Sequence, residues 1–166
     1  SPCTGLGMTF STSTGVLDWT PSYLQAGTYE VGITADDGNS GTDEEIFVIT
    51  VADVNAPPSI DTISNATAME TVAMTTIDVN DGGDDNDLDG TALTFSCFYD
   101  TTVNSSVASS LTCGSLTGAS FNTSSGEFDW TPTVAQSGTY EIKVQASDGA
   151  LTDTQLFTIT VNNFNQ

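Results

Sequence analysis

The sequence predicts an all-β chain made of antiparallel β-sandwich modules in tandem. Two observations lead to this prediction: apolar and polar side chains alternate along several short segments, and a long stretch of the chain occurs twice. Alternation with a period of two places every second side chain on one face of a strand, as in a sheet with one buried face. Clusters of Gly, Asn, Asp and Ser separate the segments at intervals of roughly 8–15 residues, which is typical of β-sandwiches.

The repeat is clearest around the two tryptophans. Residues 10–21 (FSTSTGVLDWTP) recur as residues 121–132 (FNTSSGEFDWTP), at an offset of 111 positions. Only 18 residues precede Trp19, so the first copy lacks the N-terminal half that the second copy has. We therefore predict that residues 1–53 are the C-terminal half of a module, that residues 54–58 are a proline-containing linker, and that residues 59–166 are a complete module.

Each copy contains two long alternating segments, and the second copy has further predicted strands at residues 70–79 and 92–98. Trp19 and Trp130 each end a strand and are predicted to anchor a core; a tryptophan on a sugar-binding face is the alternative. The apolar faces of the long segments are Tyr29, Val31, Ile33 and Ala35; Phe47, Ile49 and Val51; Tyr140, Ile142, Val144 and Ala146; and Phe157, Ile159 and Val161.

The charge balance excludes several functions. The chain has 22 acidic side chains, one basic side chain (Lys143) and no histidine, for a net charge of −21. One lysine cannot form the basic patch that nucleic acids or anionic membranes attract, and no apolar run is long enough for direct membrane insertion. Without His and Arg, a Ser-His pair, a His-ligated zinc and a bidentate phosphate clamp are all missing. We therefore predict a protein that is not an enzyme.

An acidic loop is the sharpest chemical signal. Six aspartates lie between positions 78 and 89, and the last three form the pattern D-x-D-x-D-G. Alternate carboxylates in a tight loop can converge on one hard cation, so Asp81, Asp85, Asp87 and Asp89 are predicted ligands of Ca²⁺. The loop is not an EF-hand, since Ser96 stands where that motif has its bidentate glutamate. A solvated acidic loop in a protein that is acidic throughout is the alternative.

The three cysteines indicate an oxidising compartment. Cys97 ends a predicted strand, Cys113 precedes the next one, and Cys3 lies at nearly the same place in the first copy as Cys113 does in the second. The simplest inference is a disulfide between Cys97 and Cys113, which favours a secreted protein. Two reduced, buried thiols are the alternative.

Five motifs occur in the same order in both copies: a glycine turn, Trp-Thr-Pro, Gln-x-Gly-Thr-Tyr, Ala-x-Asp-Gly, and a final strand; in the first copy that strand leads to Asp-Val-Asn-x-x-Pro. This series resembles the cadherin-like and Ig-like repeats that occur in tandem in large bacterial surface proteins, and the related module of dystroglycan. The resemblance implies an Ig/cadherin-like β-sandwich fold and an extracellular, calcium-dependent module of adhesin type.

The resemblance also implies a second set of calcium ligands at the ends of the modules. Cadherin linkers carry Asp after Asn, whereas Ala56 stands here, and a polar hinge with Asx-turns is the alternative. The implied ligands are Asp53 and Asn55 in the linker, Glu70 near the start of the second module, and Asp37 and Asp148 in the Asp-Gly turns.

The function predicted from the sequence is that of a calcium-stiffened repeat segment of a large adhesin or surface stalk at the cell surface, which acts as a spacer and in cell adhesion. Its partners would be neighbouring repeats or subunits. One alternative is a module that binds a cell-surface glycan or protein through Tyr23, Phe98 or Tyr99. Another is a filament subunit whose incomplete first module is completed by strands from a neighbouring chain.

Overall fold

The computed structural model describes residues 5–81, 87–103 and 111–164, and their regular secondary structure is almost entirely β-strand. The prediction of an all-β fold is confirmed. The chain forms two compact units, Ser1–Asn55 (unit 1) and Ala56–Gln166 (unit 2), which are described separately. Within the described ranges, no helix is long and apolar enough to cross a membrane.

Unit 1 consists of two antiparallel hairpins. Strand β1 (Thr9–Ser11) pairs with β2 (Val16–Asp18), and the longer β3 (Gly27–Asp36) pairs with β4 (Thr42–Val51). The long hairpin carries the alternating pattern read from the sequence, but its apolar face is incompletely covered. Phe47 on β4 is 36% exposed, for example.

Unit 2 is a sandwich of a four-stranded and a three-stranded sheet. Its strands are β5 (Ala66–Met69), β6 (Ile77–Asp78), β7 (Thr94–Asp100), β8 (Ala119–Phe121), β9 (Glu127–Trp130), β10 (Gly138–Ser147) and β11 (Thr152–Asn162). The strand order is β5-β11-β10-β7 in one sheet and β6-β9-β8 in the other. All of these pairs are antiparallel except β5 and β11, which run parallel.

The core of unit 2 lies between its two sheets, with Trp130 among its largest buried side chains. Trp130 is 1% exposed, its indole N–H donates to the carbonyl oxygen of Thr117 at 3.2 Å, and its ring meets that of Tyr140 edge-on at 4.9 Å between centroids. The prediction that this tryptophan anchors a core is therefore confirmed. The polar N–H is satisfied, so the apolar area of the ring is buried without the cost of an unpaired donor.

The disulfide predicted between Cys97 and Cys113 is present, with Cα atoms 5.3 Å apart. Both residues are buried in the core, where the bond joins β7 to the turn that precedes β8. Cys3 lies outside the described residues.

The prediction of a strand over residues 70–79 is wrong, because only Ile77–Asp78 within that range form a strand. Strand β5 ends at Met69, and Thr71 adopts φ = 66°, in the left-handed region that β-branched residues rarely enter. The N–H of Thr71 donates to the carbonyl oxygen of Pro132 at 2.6 Å, which fixes this reversal of the chain. No glycine marks the reversal in the sequence. Pairing resumes only at β6, and Glu70 therefore lies at a bend.

Candidate metal site and module ends

The acidic loop of unit 2 ends in a tight turn built by two of the predicted ligands. Asp87 accepts the N–H of Asp89 through Oδ1 at 3.0 Å, and its carbonyl oxygen accepts the N–H of Gly90, also at 3.0 Å. Gly90 has φ = 81°, a conformation that glycine adopts without strain. The D-x-D-G spacing thus produces an Asx-turn that brings the two carboxyl groups close together.

Asp89 is held by the backbone at the start of unit 2. Its Oδ2 accepts the N–H of Ala56 at 2.8 Å, and its Oδ1 accepts the hydroxyl of Thr91 at 2.8 Å. The contact with the carboxyl group of Asp87, then the hydrogen bonds from Ala56 and Thr91, lower the pKa of Asp89 to about 2, because each of them favours the ionised carboxylate. The role of Ala56 had no signal in the sequence, since the two partners are 33 residues apart.

Asp87 carries an unsatisfied buried oxygen. The residue is 9% exposed, and its Oδ2 is buried with no hydrogen-bond partner. Its side-chain contact with Asp89, its burial, and the negative charges of Asp89 and Asp148 raise the pKa of Asp87. An unpaired buried carboxylate oxygen is costly, and a cation at this point would offset that cost.

The space beside Asp87 has a mixed lining of polar and apolar residues. A cavity of about 400 Å³ is lined by Asp87 and by the oxygen-bearing side chains of Asn80, Thr91 and Ser124, among others. Within residues 5–81, 87–103 and 111–164, no group of three or more Asp, Glu or Cys side chains lies together as a ready metal site. An ion at Asp87 would therefore also need amide, hydroxyl or water oxygens, which Ca²⁺ accepts.

The two Asp-Gly turns have similar local structures in the two units. Asp37 in unit 1 accepts the N–H groups of Asn39 at 2.7 Å and of Gly41 at 3.0 Å, and these bonds lower its pKa. Asp148 in unit 2 accepts the N–H groups two and three residues further on, both at 2.6 Å. Of the two, Asp148 is the one whose charge acts on Asp87.

Glu70 is a buried anchor for the backbone. It is 2% exposed, its Oε1 accepts the N–H groups of Ala135 at 2.9 Å and Ser137 at 3.0 Å, and its Oε2 accepts the N–H of Phe164 at 3.3 Å. Three charge-assisted hydrogen bonds stabilise the carboxylate. The bond from Phe164 also fixes the chain just after the end of β11.

Glu70 and the Asp87–Asp89 pair lie at opposite ends of unit 2. The N–H of Glu70 donates to the carbonyl oxygen of Asn162, at the C-terminal end of β11, whereas Asp148 lies in the turn that leads from β10 into β11. A strand of 11 residues is about 35 Å long, so one ion cannot bind both groups.

The remaining predicted ligands belong to the linker and to the acidic loop itself. Asp53 and Asn55 are exposed at the end of unit 1. Asp81 is the last described residue before the gap at residues 82–86, and Asp85 lies outside the described residues.

The aromatic residues predicted as alternatives for ligand binding are Tyr23 in unit 1 and Phe98 and Tyr99 in unit 2. Tyr23 belongs to unit 1 and is 42% exposed. In unit 2 the ammonium group of Lys143 covers the ring of Phe98 at 5.2 Å, and Tyr99 packs beside Tyr140 with 6.4 Å between ring centroids. Phe98 and Tyr99 are thus engaged within the module.

These features define tandem β-sandwich modules of Ig or cadherin type, with acidic turns at their ends. The family model described as "Putative Ig domain" matches residues 6–52 and 56–162, and the chain belongs to that family. The resemblance read from the sequence is therefore confirmed. A search of curated protein sequences gave no significant match.

The chain is similar to several solved structures of low identity. The two-repeat structure of human protocadherin-24 (EC1-2) is 16% identical, covers 98% of this chain and 79% of its own, and has a TM-score of 0.51. The EC1-3 structure of Drosophila N-cadherin is 14% identical and covers 96% of this chain and 52% of its own, with a TM-score of 0.49. An endo-fucoidan hydrolase is 20% identical, with a TM-score of 0.44 and 94% of this chain covered. The chain spans 22% of that hydrolase's length.

Proposed function

We propose that the chain is a non-enzymatic repeat segment of a large extracellular adhesin or surface stalk, which spaces and presents other parts of that protein. Membership of the Ig family and the two tandem units support this role. The disulfide between Cys97 and Cys113 supports an oxidising, extracellular location. Adhesion to a cell-surface glycan or protein remains part of the proposal, with the adhesive site outside the features described above.

We propose further that unit 2 binds Ca²⁺ at the Asp87–Asp89 turn. The single observation that carries this proposal is the buried Oδ2 of Asp87, which has no hydrogen-bond partner. A bound cation would neutralise two adjacent carboxylates and the nearby charge of Asp148. Calcium fits better than a transition metal because the donors here are oxygens, the chain has no histidine, and Cys97 and Cys113 are oxidised.

A cation at this turn would stiffen the module at its entrance. Asp89 already accepts the N–H of Ala56, so an ion that fixes Asp89 also fixes the first residue of unit 2. Asp81, Asp85 and the linker residues Asp53 and Asn55 stay predicted contributors to calcium binding. Glu70 lies at the opposite end of the unit, where its binding of a separate calcium ion stays a prediction.

Thermal unfolding of the full chain in excess EDTA and in excess Ca²⁺ tests the calcium site. A ligand that binds only the folded state raises the midpoint of unit 2 by on the order of 10 °C at a hundredfold excess over its dissociation constant. The double variant Asp87→Asn, Asp89→Asn should lose this rise. The control variant Asp43→Asn removes an exposed charge on β4 and should keep it. An unchanged wild-type midpoint with calcium would refute the site.

A further inference from the structure

The cavity beside Asp87 is lined by segments from both sheets of unit 2. Asp87 and Thr91 lie in the chain that leads into β7, a strand of the four-stranded sheet. Asn80 follows β6, and Ser124 lies in the turn between β8 and β9; these three strands form the other sheet. A group bound in this cavity can therefore contact both layers of the sandwich at once.

The two carboxyl groups at this turn are already engaged through most of their oxygens. Oδ1 of Asp87 accepts the N–H of Asp89, and both oxygens of Asp89 accept hydrogen bonds, one from the backbone and one from a threonine hydroxyl. Ca²⁺ is usually surrounded by about six to eight oxygen atoms, so these carboxylates alone fill only part of its shell. The carboxamide oxygen of Asn80 and the hydroxyl oxygen of Ser124 are uncharged ligands on the same cavity wall.

Asn80 is held at the cavity by its backbone. Its N–H donates to Oδ1 of Asp78 at 2.9 Å, which is the bond of an Asx-turn. The preceding residue, Val79, is 1% exposed and donates its N–H to the carbonyl oxygen of Gly126 at 3.2 Å. Because these bonds use backbone groups, the carboxamide of Asn80 is available to a ligand in the cavity.

Ser124 lies in a turn that its neighbours make rigid. Oδ1 of Asn122 accepts the N–H of Ser124 at 3.0 Å, and the carbonyl oxygen of Thr123 accepts the N–H of Phe95 in β7 at 2.8 Å. Gly126 closes the turn with φ = 81°, a conformation that glycine adopts without strain. The hydroxyl group of Ser124 is thus presented by a preorganised backbone that is bonded to the opposite sheet.

We propose that Asn80 and Ser124 complete the cation site of Asp87, through the carboxamide oxygen of Asn80 and the hydroxyl oxygen of Ser124, so that a bound Ca²⁺ joins the two sheets of unit 2. This assignment rests on the proposed binding of Ca²⁺ at the Asp87–Asp89 turn and adds two neutral ligands from the other sheet. Neutral oxygens extend the shell of the ion without adding to the repulsion between the carboxylates.

The bridge should slow the opening of the sandwich at this end. Val79 and Phe95 both donate their N–H groups to the turn at residues 122–126, and these bonds break when the sheets separate there. Hydrogen exchange of the full chain with and without Ca²⁺ measures such local opening. Protection should rise more at the amides of Val79 and Phe95 than at that of Thr71, which is bonded at the opposite end of the unit.

A calcium titration of the ¹⁵N-labelled full chain tests the two ligands directly. The backbone amides of Gly90 and Thr91 report binding at the turn, and the side-chain NH₂ resonances of Asn80 report its carboxamide. All of these signals should shift with one midpoint. Asn80→Ala and Ser124→Ala should each raise the calcium concentration at that midpoint about fivefold, because water replaces one of several oxygen ligands.

Three variants serve as controls. Ser125→Ala changes the same turn, but the hydroxyl group of Ser125 donates to Oε2 of Glu127 at 2.7 Å, so the midpoint should stay unchanged. Ser13→Ala alters the counterpart of Ser124 in unit 1, at the offset of 111 positions, and should also have no effect. Asn80→Asp keeps an oxygen at the ligand position and should bind at least as tightly as the wild type.

The outcomes separate this assignment from the calcium site itself. Normal midpoints in Asn80→Ala and Ser124→Ala, together with loss of the shifts in the double variant Asp87→Asn, Asp89→Asn, would leave the calcium site in place and overturn the bridge. A wild-type chain whose Gly90 amide does not respond to Ca²⁺ would overturn both. Equal weakening in Asn80→Asp and Asn80→Ala would mean that the local fold is disturbed rather than a ligand lost, and would overturn the role of Asn80.

Discussion

The two units have closely similar local geometry and very different burial. In both, the tryptophan indole donates to a backbone carbonyl, at 2.9 Å in unit 1 and 3.2 Å in unit 2, and its ring meets a tyrosine edge-on at 4.9 Å. Yet Phe157 is 3% exposed, whereas its counterpart Phe47 is 36% exposed. Hairpins and turns follow from the local sequence, while burial depends on strands β5 to β7, which only unit 2 shows among the described residues.

Removing the tryptophan of each unit should give the largest difference in stability between the two units. Trp130→Ala should lower the free energy of unfolding of unit 2 by about 3–5 kcal/mol, because it empties the centre of a closed core. Trp19→Ala should cost less than about 2 kcal/mol, since Trp19 is half-buried. Urea denaturation followed by circular dichroism measures both losses, and the fluorescence of the remaining tryptophan reports the unaltered unit as a control. Equal losses of unfolding free energy in the two variants would contradict the difference in burial between unit 2 and unit 1.

Removing the disulfide should cause the next largest loss of stability in unit 2. Replacing Cys97 and Cys113 with serine releases a loop constraint of 16 residues and should destabilise unit 2 by about 3 kcal/mol. Unit 1 should unfold as before. Cys3→Ser serves as the matched control and should leave unit 2 unchanged; the comparison fails if that variant destabilises unit 2 as much as the double replacement does.

The smallest expected effect is on the stability of unit 2 at acidic pH. The pKa of Asp89 falls from 3.8 to about 2 on folding, so its contribution to stability is present above pH 4 and is lost as the pH falls towards 2. The pKa of Asp87 is raised, so its contribution has the opposite sign and is lost as the pH rises. Asp89→Asn should therefore flatten the decline of the unit 2 melting temperature between pH 4 and 2, measured in EDTA.

The turn of unit 1 provides the control for this pH series. The pKa of Asp37 is also lowered, by its bonds to backbone N–H groups, so Asp37→Asn should flatten the acid decline of unit 1 and leave that of unit 2. A change confined to the wrong unit in either variant would contradict the assignment of these bonds.

The long strands could be predicted from the sequence because their signal is local. Alternation along β10 and β11 marks the face that is buried, and the pattern is the same in β3 and β4, where burial is incomplete. The pattern records what a strand can bury, and it does not show whether a partner is there to cover it.

The role of Glu70 could not be predicted in this way. Its carboxylate accepts N–H groups 65, 67 and 94 residues away, and Thr71 beside it adopts a conformation for which the sequence gives no glycine signal. Likewise, the D-x-D-G spacing identified the turn at Asp87, but the bond that ties Asp89 to Ala56 depends on how the chain enters the unit. Long-range hydrogen bonds of this kind produce no periodic pattern in the sequence from which they could be predicted.

The parallel pairing of β5 with β11 has a mechanical consequence. The chain enters unit 2 beside Asp89, runs along β11, with Ile60 bonded to Asp153 at 2.9 Å, and leaves beyond Asn162 at the opposite end. Pulling on the two ends therefore slides β5 and β11 past each other and loads their hydrogen bonds together rather than one at a time. Extension along β11 therefore meets the hydrogen bonds of this strand pair in shear.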